Sequence, residues 1–201
     1  MTEPEGAFKS LDGKSSTLFL LGGGLLVVFA ANTALRTFVG TSFPPVQGLI
    51  GPAGFFFGGV GLLGLYPALA NRTSQLARAA VVVAVIPVVG WPVIILRGIA
   101  TQVIGITLPE VLAALPMVVI ASMLLAFASF GIASLQAGIH SRITGVLLLI
   151  PATGFLLLIT NAAPHFVIDI GHAVGYLGVG FTLQSTGIPT DSTETAVDPT
   201  P

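Results

Sequence analysis

Between Thr17 and Ser185 the chain runs through a nearly continuous series of apolar stretches, each about as long as a bilayer core is thick. Only 7% of its 201 residues are charged, and its mean hydropathy is +0.99. A soluble domain keeps roughly a quarter of its residues charged. A water-facing surface of ordinary composition cannot be assembled from this chain, so the expected solvent is a lipid bilayer.

In hydrocarbon every backbone polar group has to find its partner inside the protein, which leaves helices and closed barrels. A barrel requires apolar and polar residues to alternate in strands of about ten. Runs such as residues 62–65, 81–87 and 146–151 do not alternate. The expected fold is therefore all-α, a polytopic transmembrane helical bundle. A span needs about 20 predominantly apolar residues, and six are read, at 17–35, 48–70, 79–96, 111–135, 143–160 and 165–185. The sixth carries three ionisable groups near its start, so a five-span chain is the alternative. Residues 1–16 form a polar cytoplasmic tail in this reading, 17–185 the membrane domain, and 186–201 a disordered polar, acidic tail. Residues 98–109 are either an interfacial segment or an extension of the fourth helix.

Orientation follows from the short loops. With six spans, Lys9, Lys14, Arg72, Arg78 and Arg142 fall on one side, and only Arg36 and Arg97 on the other. Basic residues concentrate on the cytoplasmic side, so both termini are expected there, in a cell membrane. Trp91 and Tyr66 are read as members of the interfacial aromatic belts. The first span exceeds a signal-peptide core in length and follows Glu3, Glu5 and Asp12, so it is read as a retained helix.

Several functions are excluded or disfavoured. The chain has no cysteine, hence no disulfide, thiolate metal site or cysteine nucleophile. Its formal charge is −1 and its basic residues are scattered singly, so no nucleic-acid partner is implied. No P-loop, dinucleotide fingerprint, Gly-x-Ser-x-Gly or His-Glu-x-x-His motif occurs, and the reading leans away from an enzyme. Five arginines against two lysines, with a threonine-rich acidic tail, fit a prokaryotic, salt-adapted source.

Two features concern packing. Gly54, Gly58 and Gly61 share a face of the second span, and Gly171, Gly175 and Gly178 recur at helical spacing in the sixth. Small residues let helix backbones approach closely in lipid. Packing within the bundle is the expected use, with self-association or another membrane subunit as the alternative. Pro87 and Pro92 should kink or partly unwind the third span, because each removes a donor and crowds the preceding turn.

The sharpest chemical candidate is the segment PHFVIDIGH at 164–172. On a helix, His165, Asp169 and His172 lie at i, i+4 and i+7, one stripe descending about 10 Å from the outer boundary. Ionisable groups at such depth are costly and usually face a cavity or a partner. Imidazole and carboxylate together suit Zn, Fe or Cu, or a proton relay. However, His165 and His172 are two turns apart, and the one other histidine, His140, falls at the opposite end. No cofactor is therefore predicted, with a metal or haem at His165, Asp169 and His172 as the less favoured alternative. A second constellation is ionic: Arg36, Arg97, Glu110 and Asp169 map to the outer ends of four spans. If those ends converge, they form a vestibule for a charged or polar ligand. The functional expectation is a small permease-like or ligand-binding bundle, or an accessory subunit of a membrane complex. The alternative is a metal-, haem- or proton-handling protein built on the histidine stripe.

Overall fold

The structure, a computed structural model, describes residues 11–186 apart from 12, 71, 103, 106–109 and 139–140, with the side chains of 74, 102, 110 and 111 also left undescribed. It contains six long helices: α1 (Ser15–Val39), α2 (Gly51–Ala70), α3 (Ser74–Gln102), α4 (Leu115–Ala137), α5 (Arg142–Thr160) and α6 (His165–Thr186). A π-helical turn, Val46–Ile50, leads into α2, and a 3₁₀ turn, Glu110–Ala113, precedes α4. All six are long and apolar enough to cross a bilayer. The molecule is a multi-pass membrane protein with an all-α, six-helix architecture. The expected tails lie almost wholly outside the described residues, as does His140.

The helix ends follow local chemistry. Gly40 and Gly138 close α1 and α4 with φ of 74° and 61°, a left-handed conformation that glycine adopts without a Cβ penalty. Asn161 closes α5 in the same conformation, and its N–H donates back to the Leu157 carbonyl. At the start of α5 the Ser141 hydroxyl accepts from the Thr144 N–H. Ahead of α6, the Val167 and Ile168 N–H groups donate to the Pro164 carbonyl, so this proline starts the helix without losing a bond.

Consecutive helices pack side by side from α1 to α6, and α6 packs against α1, so the bundle closes into a ring. Backbones come closest where glycines face a bulky neighbour. A Cβ on Gly54 would lie 2.9 Å from the Leu26 side chain of α1, and one on Gly61 would lie 3.0 Å from the Phe19 ring. A Cβ on Gly58 would overlap the Tyr176 ring of α6. Gly175 and Gly178 lie against Pro151 and Leu147 of α5, whereas Gly171 has only Ile150 near it, at 4.0 Å. These contacts are all within the chain. The outer surface is apolar as well, with Val82 70%, Phe181 60% and Leu125 56% exposed, as a lipid-facing surface must be.

α3 stays helical for 29 residues through Pro87 and Pro92, so the chain does not unwind there. A Cβ on Gly90, between the two prolines, would overlap Val119 of α4. Three expectations need correction. α3 also continues to Gln102, so the first part of the 98–109 segment belongs to it and not to α4. α4 begins at Leu115 because the chain ahead of Pro116 coils into the 3₁₀ turn. Trp91 and Tyr66 are not belt residues, since they are 6% and 7% exposed and face the core.

Candidate functional site

One end of the ring opens into a cavity of about 490 Å³ to which every helix contributes. α1 supplies Phe29, Thr33, Arg36 and Thr37, and the π-helical turn supplies Gln47. Pro52 and Phe55 come from α2, Trp91 from α3 and Ile120 from α4. Phe155 and Leu158 of α5 and His165 and Asp169 of α6 complete the lining.

The lining is stratified by depth. Arg36, Thr37 and His165 are exposed at the mouth. One turn deeper, Thr33 and Asp169 are each 7% exposed. The Thr33 hydroxyl donates to the Phe29 carbonyl at 3.1 Å and also lies within hydrogen-bonding reach of the Asp169 carboxylate. His165 is close enough to Asp169 for their charges to interact. Among the described residues, however, no lysine, arginine or histidine nitrogen forms an ion pair with that carboxylate.

Aromatic rings form the wall and floor. Phe55 stacks on Trp91 with centroids 5.0 Å apart and planes 19° apart. Phe155 tilts against Phe55 at 5.4 Å. Below them the rings of His172, Tyr176, Phe127 and Phe19 continue as a column down the bundle axis. The Trp91 Nε1 is buried and, among the described residues, has no hydrogen-bond partner.

The expected stripe therefore divides. His165 and Asp169 line the cavity, but His172 is fully buried beneath it, its ring 4.3 Å from Phe155 and 5.2 Å from Phe55. The backbone carbonyls of Pro151 and Ile168 lie near its ring, yet among the described residues neither ring nitrogen makes a well-formed hydrogen bond. The expected ionic group divides too. Arg36 and Asp169 share the cavity, whereas Arg97 donates from Nη1 to the Leu112 carbonyl at 2.6 Å and ties α3 to the 3₁₀ turn. The Glu110 side chain lies outside the described residues. Among the described residues, no three His, Cys, Asp or Glu side chains gather as a metal-binding group.

Sequence reasoning did not single out Thr33, Gln47, Phe55, Trp91 and Phe155 as site residues. Thr33 and Trp91 carried a signal, as a polar group and an amphipathic ring at membrane depth. The phenylalanines carried none, because apolar rings suit core and lipid equally. The loop above the cavity is also fastened from within: Asn32 Oδ1 accepts the Phe43 N–H at 2.7 Å. No protein-family model, curated protein or solved structure matches the chain.

Proposed function

We propose that this protein is a permease-like, ligand-binding membrane bundle whose site is the cavity at the open end of the ring. One observation carries the reading: six helices converge on a single cavity that holds the buried Asp169 carboxylate. Asp169 is also the one acidic residue within the six spans, 15–39, 46–70, 75–101, 115–137, 142–160 and 165–186. A carboxylate at membrane depth is expensive and generally serves a ligand or ion path. Aromatic walls with a few convergent polar groups are the usual make-up of a small-molecule site, and the volume falls within the range of such pockets. In this reading the cavity opens away from the cytoplasm of a cell membrane, with both termini inside. The binding step needs no covalent chemistry and no cofactor.

The chain supplies its own reporter, since Trp91 is its single tryptophan and lines the cavity. Its emission in lipid nanodiscs should change saturably with at least one class of a solute panel of amines, carboxylates, zwitterions and neutral polyols. The change should disappear when Ile120→Phe fills the cavity. A panel that leaves Trp91 emission unmoved throughout would overturn the proposal.

A further inference from the structure

We infer that the ligand is a small zwitterion, bound with its ammonium group inward against Asp169 and its carboxylate outward beneath Arg36 and His165. The inference rests on the reading of this cavity as a binding site and names the chemistry it accepts.

The charges in the lining are ordered along the axis of the bundle. Arg36 lies three residues above Thr33 on α1, and His165 four residues above Asp169 on α6. At 1.5 Å per residue the basic groups sit roughly 5 Å nearer the mouth than the carboxylate. The cavity thus has its negative end deep and its positive end at the rim. A simple anion would meet Asp169 at the bottom. A simple cation would pass two basic side chains and leave them without a partner. A molecule that carries both charges about one helical turn apart satisfies both levels at once.

The deep end suits a cation for two further reasons. Asp169 is 7% exposed and, among the described residues, has no ion-pair partner, so a positive group arriving there meets a carboxylate with little competing solvent. The rings of Phe29, Phe55, Trp91 and Phe155 line the same cavity. Aromatic faces attract ammonium and quaternary ammonium groups through the ring quadrupole, and more strongly when water is excluded. At the mouth, the Arg36 guanidinium is the side chain best matched to a carboxylate.

Isosteric ligands test this on the wild-type protein. Trp91 emission is titrated in nanodiscs with glycine betaine and 4-aminobutyrate, which are zwitterions. Choline keeps the cation and lacks the carboxylate, and 3,3-dimethylbutyrate is the uncharged-head carbon isostere of betaine. A zwitterion should saturate the signal and bind at least about tenfold more tightly than either singly charged analogue, the loss expected for one charge-assisted contact. Asp169→Asn should erase the advantage over dimethylbutyrate, and Arg36→Gln the advantage over choline. Equal or tighter binding of choline or dimethylbutyrate overturns the inference. So does a response confined to other solutes, which would leave the cavity a binding site of different chemistry. If no solute of either set moves the emission, the site itself is wrong.

Discussion

His172 fills a space with no slack. A Cβ on Gly154 would lie 2.8 Å from its Nε2 and 2.9 Å from its Cε1, so the glycine exists to admit the imidazole. Gly154→Ala should therefore destabilise by about 1–3 kcal/mol, the usual cost of overpacking. His172→Ala should cost about 3 kcal/mol through the cavity it leaves. Because the alanine methyl can occupy the vacated space, the double variant should be less destabilised than the sum of the two, by at least about 0.5 kcal/mol. Thermal or denaturant unfolding in detergent measures all three, and strict additivity would count against a packing role for His172. This is also where the sequence misled. Spacing placed His172 on one helix face with Asp169, which is correct, but spacing says nothing about what closes over that face. Phe55 and Phe155, from other helices, put His172 under the floor. Trp91 was misread for a related reason: its depth was legible as an interfacial position, while its direction, inward onto Phe55, was not.

At the scale of the helices, glycine position separates close contacts from spare room. Gly58→Ala in α2 collides with the Tyr176 ring of α6 and should lower the melting point in detergent, at a cost of about 1–3 kcal/mol. Gly171→Ala in α6 has only Ile150 near it, at 4.0 Å, and should be neutral or stabilising by up to about 1 kcal/mol, since alanine is the better helix former. Equal losses in the two variants would contradict the assigned contacts. The number of helices was legible because bilayer thickness sets span length, and Gly40, Gly138 and Asn161 mark three of the helix ends. The end of α3 and the start of α4 were not legible, and the prolines within α2, α3 and α5 end no helix. Which face of each helix looks inward was far less legible. In water that face is marked by the contrast between apolar and polar residues, but in a bilayer both faces are apolar. Val82 and Leu62 are equally suited to lipid or core, yet one is 70% exposed and the other fully buried.

For the whole molecule, the absence of cysteine makes accessibility easy to measure. A single Gln47→Cys at the cavity should react with a membrane-impermeant maleimide added to the outer side of intact cells. Leu125→Cys, though 56% exposed, should stay unlabelled in a bilayer because lipid, not water, covers it. Rapid labelling at position 125 would remove that patch from the lipid-facing surface. Six crossings also bring the two ends of the helical domain to one side, and with the proposed orientation a reporter fused after Pro201 should read as cytoplasmic. An external signal there would reverse the assigned orientation. The closure of the ring between α1 and α6 has a further consequence, and it concerns time. Helices leave the ribosome in order, so α1 arrives with Asn32 and Thr33 already in place while α6, which covers much of its face, is the last of the six to be made. Until then the first helix must wait in lipid or against a chaperone, and the cavity has no Asp169. The proposed site is complete only when synthesis reaches the end of the domain, so a chain stopped after α5 would be a nearly complete bundle without the Asp169 side of its cavity.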